Sequence, residues 1–322
     1  MSASDHSAPS AFDDIFADAI DRASASVVSV RARKRIPSTG TVWGADGGAF
    51  VVTASHAVEQ EEEITVVIGS GAGPGASGES LPATLLGRDY NTDLAVLQVE
   101  DLPAPPIAER AATRIGHPVY AIGRPFGSIA ATFGSVTAIA PVPVSTVEAP
   151  LLIAAEVTPL PGFSGGPLID STGAAHGINT SGLIRSGILL SSGRGFVTIP
   201  AVQVSAVVAD IVRYGHVRFG WIGVGVKPVP LPDEVRPELG EQASGLMVTE
   251  VKPESPAREH LAIGDTLVRM GDGNHPLMDV GDLQSLLGSQ QIGTPTPITF
   301  LRNGALQTTE ITPIERPERH RC

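Results

Sequence analysis

Ser164 lies in Pro159-Leu160-Pro161-Gly162-Phe163-Ser164-Gly165-Gly166-Pro167-Leu168-Ile169-Asp170, a glycine-lined turn that runs into an apolar stretch. Glycines on both sides remove Cβ atoms, so the backbone can take unusual φ/ψ values and the N–H groups of Gly162 and Ser164 can converge on one point. Two convergent donors make an oxyanion hole, and the serine beside them reads as a nucleophile. A hydroxyl alone is a poor nucleophile, so this reading requires a histidine base and a carboxylate to orient it. The candidate base is His56 in Phe50-Val51-Val52-Thr53-Ala54-Ser55-His56-Ala57-Val58, where an apolar strand meets small residues that leave room for an imidazole. The candidate carboxylate is Asp93, which opens the apolar run of Leu94-Ala95-Val96-Leu97-Gln98-Val99 at a position suited to a buried hydrogen bond. Each feature has a bland counterpart, since Ser-Gly-Gly is a common turn, most histidines are not catalytic and acids often open strands. Their coincidence favours catalysis.

The chain order is His, Asp, Ser, which separates chymotrypsin-like barrels from α/β-hydrolases and subtilisins. The motifs Thr53-Ala54-Ser55-His56-Ala57-Val58, Thr92-Asp93-Leu94-Ala95-Val96-Leu97, Ala121-Ile122-Gly123-Arg124-Pro125-Phe126-Gly127, Gly162-Phe163-Ser164-Gly165-Gly166-Pro167-Leu168, Gly177-Ile178-Asn179-Thr180 and Gly195-Phe196-Val197-Thr198-Ile199-Pro200 resemble those of the HtrA/DegP-type trypsin-like serine proteases with a C-terminal PDZ domain. The resemblance covers nearly the whole chain. It implies a mainly β protein: a chymotrypsin-like double β-barrel with the active site between the barrels, followed by an α+β PDZ domain. It implies an endopeptidase in protein quality control that cleaves unfolded or exposed polypeptides, a homotrimer, and a PDZ domain that binds peptide C-termini. The rival expectation is a catalytically silent peptide-binding scaffold or holdase, since motifs give residue identity and not distances.

The resemblance also implies that Ile178, Asn179, Arg194, Gly195 and Phe196 contact substrate. Three residues depart from the family pattern. Arg124 replaces an asparagine and places a cation near the cleft; Phe163 also stands where asparagine is usual, and its ring can hold the nucleophile loop in one state. Arg194 replaces an apolar residue in the specificity segment. An arginine reaching the pocket would favour an acidic residue before the cleaved bond. An arginine facing solvent would not.

Composition sets the broad class. The 322 residues are 42% hydrophobic and 17% charged, ordinary for a soluble globular protein with two or three cores. With 36 glycines, 27 prolines and short valine-rich runs, many strands joined by turns are expected. A formal charge of −12 argues against a nucleic-acid partner, because phosphate binding needs a basic surface. The single cysteine, Cys322, cannot form an internal disulfide. The eight histidines show no metal-ligand clustering, so no cofactor is expected. His176 reads as a turn or core histidine in preference to a second base. The polar stretch from Met1 lacks the features of a signal peptide, so a cytoplasmic location is expected if Met1 is the native start, and a periplasmic or membrane-tethered one if the N-terminus has been processed.

The organisation expected is an N-terminal segment over 1–22, a protease domain over 23–215, a PDZ domain over 219–314 and a loose tail over 315–322. Phe12, Ile15, Phe16, Ala19 and Ile20 have helical spacing, for packing on the protease body or for a trimer interface. The proline-rich stretch over 101–118 is the inter-barrel crossover. Ala201–Val212 is helix-like, with Val204, Val207, Val208, Ile211 and Val212 on one face. In the PDZ segment the backbone around Trp221, Ile222 and Gly223 would hold a carboxylate, and the strand from Val224 would accept a peptide. Val280–Leu287 is the groove helix, with Leu283, Leu286 and Leu287 as its apolar pocket or as core filling.

Overall fold

The computed structural model describes residues 11–34, 36–60, 62–69, 78–110, 112–125, 127–141, 151–182, 197–240 and 242–317; the side chains of residues 11–13, 140, 141 and 151 are not described. The described residues fall into two compact units, the first running through Val217 and the second beginning at Arg218.

The first unit opens with helix α1 (Ala11–Ser24), longer at both ends than its apolar spacing suggests. Two closed six-stranded barrels follow. The first contains β1 (Val27–Arg31), β2 (Ser38–Ala45), β3 (Gly48–Ala54), β4 (Ile64–Ile68), β5 (Glu79–Asp89) and β6 (Leu94–Gln98), joined in the order β1-β2-β3-β6-β5-β4. The second contains β7 (Pro118–Gly123), β8 (Ala130–Pro141), β9 (Leu151–Ala155), β10 (Pro167–Ile169), β11 (Ala175–Thr180) and β12 (Val197–Pro200), in the order β7-β8-β9-β12-β11-β10. The two barrels thus repeat one topology. Every described pairing within them is antiparallel, and closure leaves no strand edge open. Valine and leucine side chains fill each interior: Val28, Val42, Val51, Val66 and Leu97 in the first, Val119, Val136, Ile153 and Leu168 in the second. Among the described residues, no strand occurs between Gln98 and Pro118, as the prolines there predict; an isolated parallel bridge joins Glu109 to Ala175.

Helix α2 (Ala201–Tyr214) closes the unit. Val204, Val207, Val208 and Ile211 are buried, and the helix packs on β2, β5, β6, β11 and β12. It ends at Gly215, whose left-handed φ of 79° lets its N–H cap the Ile211 carbonyl.

The second unit is a twisted antiparallel sheet of β14 (Val224–Pro230), β15 (Ser244–Val251), β16 (Thr266–Met270), β18 (Thr296–Arg302) and β19 (Ala305–Ile311), with β17 (His275–Pro276) on β16. Two helices, α3 (Arg236–Leu239) and α4 (Val280–Ser285), accompany it. The turn between β18 and β19 is Asn303-Gly304, both with positive φ, as a tight hairpin requires. One expectation fails at the C-terminal end. Glu315, assigned above to a loose tail, belongs to β20 (Ile314–Glu315), which pairs with β13 (Gly220–Trp221), and the Arg316 N–H donates to the Phe219 carbonyl. A two-residue strand is too short to leave an alternating pattern.

Candidate active site

His56 and Asp93 come from the first barrel and are brought together by two local turns. After β3 the chain makes a single 3-10 turn, Ser55–Ala57, which turns the imidazole off the strand. Before β6, the Asp89 carboxylate accepts from the backbone of Asn91 and Thr92 and from both their side chains, building a tight turn. That turn delivers Asp93 in a left-handed conformation (φ 56°), unusual for a residue with a Cβ. The Asp93 carbonyl accepts from Ser55 N–H at 2.8 Å, which locks the two turns together.

The Asp93 carboxylate is fully engaged. Oδ1 accepts from the His56 backbone N–H at 2.9 Å, Oδ2 lies 2.6 Å from His56 Nδ1, and the Thr180 hydroxyl also donates to Oδ2. A carboxylate only accepts, so His56 carries its proton on Nδ1 and leaves Nε2 as the basic nitrogen. The Asp93 side chain is 9% exposed and that of His56 25%, so the acid is shielded while the imidazole reaches solvent.

Ser164 comes from the second barrel, before β10. Gly162 and Gly165, on its two sides, have φ of 85° and 88°. A Cβ on Gly165 would collide with the Thr39 carbonyl and Thr53, so the turn needs glycine for space as well as for angle. The first barrel clamps this turn through threonines of β2. Thr39 Oγ1 donates to the Gly162 carbonyl at 2.7 Å, Thr39 N–H to the Ser164 carbonyl at 3.2 Å, and Thr41 Oγ1 to the Gly165 carbonyl at 2.9 Å. Phe163, Gly165 and Gly166 donate their N–H groups to protein carbonyls. Among the described hydrogen bonds, those of Gly162 and Ser164 have no such acceptor.

Sequence reasoning missed Thr39, Thr41, Thr180, Ser181 and Gly182. Ser164 Oγ lies 3.2 Å from Ser181 Oγ, and the described hydrogen bonds do not pair it with His56. Ile178 and Asn179, expected to touch substrate, are fully buried in β11, with the Asn179 side chain bonded to the Pro167 carbonyl and to Thr198 Oγ1. Their contribution is to the frame, since Asn179 exchanges backbone hydrogen bonds with Gly165 and Gly166. Arg194, Gly195 and Phe196 lie outside the described residues.

Arg124 does not supply a cleft cation. Its guanidinium is buried and donates to the Ser24 carbonyl at the end of α1, and burial pulls its pKa down. Phe163 is fully buried against the second-barrel core, its ring filling the place where a side chain on Gly123 would stand. His176 sits within β11, not in a turn. It is 1% exposed, bonded through Nδ1 to Thr113, and burial above all pushes its pKa down to about 4. No metal-ligand group of three or more His, Cys, Asp or Glu occurs among the described residues.

In the second unit, a cavity of about 160 Å³ lies between β14 and α4, lined by Trp221, Ile222, Val226, Leu283, Leu287 and Arg316 among others. Leu283 and Leu287 also belong to the domain core. Leu286 does not line the cavity: α4 stops at Ser285, and Leu286 packs on the core from the helix end. Asp279 and Asp282 form a reciprocal capping box that fixes where α4 begins. The N–H groups of Ile222 and Gly223 have no backbone acceptor among the described residues.

Known proteins resemble this chain in sequence and fold. Family models match residues 38–178 as a trypsin-like peptidase domain and 220–312 as a PDZ domain. A probable periplasmic serine endoprotease, DegP-like, from Halomonas elongata is 32% identical over 291 residues, 88% of this chain and 58% of that one. A protein of the same description from Pseudomonas putida strain W619 is 30% identical over 282 residues, 85% and 55% of the two chains. The chain spans a little over half the length of these curated relatives. Among solved structures, the HtrA-type protease AlgW with tripeptide aligns with a TM-score of 0.73 at 28% identity, covering 94% of this chain and 98% of that one. A serine endoprotease from Yersinia pestis aligns with a TM-score of 0.69 at 26% identity, covering 96% and 100%. The two barrels are therefore chymotrypsin-like and a PDZ-like domain follows them; the chain carries a match to a trypsin-like peptidase domain and one to a PDZ domain, has DegP-like serine endoproteases as homologues and HtrA-type proteases as structural neighbours.

Proposed function

We propose that this protein is a serine endopeptidase of the HtrA type, with His56 as base, Asp93 as its orienting carboxylate, Ser164 as nucleophile, and the Gly162 and Ser164 N–H groups as oxyanion hole. The observation that carries the reading is the 2.6 Å contact between His56 Nδ1 and an Asp93 carboxylate that Thr180 and the His56 backbone also engage. Held so, the imidazole presents Nε2 to take the Ser164 proton as Oγ attacks a peptide carbonyl. The carboxylate stabilises the imidazolium, the two free N–H groups receive the oxyanion, and His56 returns the proton to the leaving amine. Water, activated by the same imidazole, then hydrolyses the acyl-enzyme.

Substrates are unfolded or exposed polypeptides, as the motif resemblance implies, and the relatives described as serine endoproteases support peptide-bond cleavage. The second unit binds peptide C-termini, the N–H groups of Ile222 and Gly223 taking the carboxylate and β14 the backbone. Phe16 of α1 packs on Tyr120 and Phe133, which favours the body-packing role of this helix, while Phe133, still 62% exposed, supports self-association, a homotrimer by the motif resemblance. Relatives described as periplasmic support action outside the cytoplasm; no helix among the described residues is long and apolar enough to cross a membrane. The rival reading, a silent scaffold, is favoured by one observation, the bond of Ser164 to Ser181 instead of His56.

Casein digestion by wild type and Ser164→Ala tests the enzymatic reading. Loss of cleavage in a variant that still folds is expected. Equal cleavage by the purified variant overturns it.

A further inference from the structure

Ser181 follows directly on Thr180, and the two neighbouring hydroxyls address different members of the site: Thr180 Oγ1 donates to Asp93, while Ser181 Oγ meets Ser164 Oγ at 3.2 Å. A serine hydroxyl has one proton to donate. When Ser164 donates it to Ser181, that proton is not on the line to His56 Nε2, and general-base attack must first break the contact. The separation exceeds the roughly 2.5–3.0 Å usual for an O–H···O bond, so the contact is weak enough to yield when substrate arrives. Among the described residues, the Ser181 hydroxyl has Ser164 as its partner. The backbone of the turn is fixed instead by Gly182, whose N–H donates to Thr180 Oγ1 at 2.9 Å.

We infer that Ser181 is a positioning residue that holds the nucleophile's hydroxyl off the base, a latch that lowers the reactivity of Ser164. The inference rests on the serine-protease reading above. It also accounts for the one observation that favours a silent site, since an engaged Asp93–His56 pair beside a serine whose hydroxyl contacts Ser181 describes a restrained enzyme.

The test is the second-order rate of labelling by a fluorophosphonate, a small electrophile that brings no peptide contacts. In that reaction the Ser164 Oγ–P bond forms, the P–F bond breaks, fluoride leaves and the proton passes to His56. Wild type, Ser181→Ala, Ser181→Thr and Ser164→Ala are compared, with thermal unfolding followed in parallel. One neutral hydrogen bond is worth a factor of about three to ten in rate. Ser181→Ala is therefore expected to label about three- to tenfold faster at an unchanged midpoint, and Ser181→Thr, which keeps a hydroxyl, at the wild-type rate. A merely structural serine would slow labelling when removed. Ser181→Ala labelling at or below the wild-type rate overturns the latch while leaving the protease reading in place. Labelling of Ser181→Ala alone, with wild type inert, supports the latch in its strongest form. If no variant labels, the protease reading falls and the latch with it.

Discussion

Gly182 gives the sharpest prediction of the site's geometry, because it has no side chain and yet lies directly against the Asp93 carboxylate. A Cβ built at this position falls on the Asp93 carboxylate, against Oδ2 and Cγ, and 3.0 Å from His56 Nδ1. Those neighbours are not flexible chain ends. Asp93 is pinned by the His56 N–H, by His56 Nδ1 and by Thr180. In Gly182→Ala the methyl therefore displaces the carboxylate from the imidazole. The bond lost is charge-assisted and worth about 1.5–3 kcal/mol, and the His56 tautomer it selects is lost with it. For triads of this kind, disabling the carboxylate lowers kcat by about 10⁴. A displaced but present carboxylate should cost less, roughly 10²- to 10³-fold, or about 3–4 kcal/mol in the barrier. Measuring kcat and KM on a chromogenic peptide, with circular dichroism to verify folding, gives the answer: kcat falls and KM holds. A folded Gly182→Ala enzyme within threefold of wild-type kcat would refute the claim that this glycine keeps the Asp93–His56 contact clear.

Two further predictions concern the frame. Phe163→Ala leaves a cavity in the second-barrel core where the ring meets Gly123, and should cost about 3–5 kcal/mol in urea unfolding; a loss under 1 kcal/mol would contradict its role as anchor of the nucleophile turn. His176, held at about 4 by burial, is neutral in the folded protein, whereas the unfolded chain binds its proton near 6.5. Stability is thus fully present above about pH 6.5 and declines as pH falls toward 4, by at most about 3 kcal/mol from this group; His176→Gln should flatten that slope, and an unaltered slope would sink the assignment. For the peptide groove, a free-acid peptide ending in an aliphatic residue should bind with a Kd on the order of micromolar and its amidated twin about tenfold or more weakly; equal affinities would exclude carboxylate recognition.

How far the sequence could be read depended on how local each constraint is. His56, Asp93 and Ser164 announce themselves because each lies in a short turn whose own residues create the unusual backbone, such as Gly162 and Gly165 around the serine. The barrels were legible because prolines and alternating valines are local signals. Thr39, Thr41 and Thr180 carry no such mark. Threonine is an ordinary strand residue, and these become part of the site only when one barrel approaches the other. The burial of Ile178 and Asn179 was equally illegible: β11 is buried along its whole length and helix α2 packs on it, a tertiary fact that no local pattern carries. Arg124 looked like a cleft cation because its sequence neighbours are a turn, yet its partner, Ser24, is 100 residues away at the end of α1. Leu286 was misplaced because α4 ends at Ser285: only Leu283 lies on the helix, and beyond its end Leu287 lines the cavity while Leu286 packs on the core.

The central claim, that Ser164 is an activated nucleophile in a working triad, is tested most directly by mass spectrometry of the protein treated with a fluorophosphonate while residual casein cleavage is followed in the same samples. The account predicts a single adduct, located on the peptide that carries Ser164, with proteolysis falling in proportion to its occupancy. An adduct on another residue, or full Ser164 modification with casein cleavage undiminished, would contradict it.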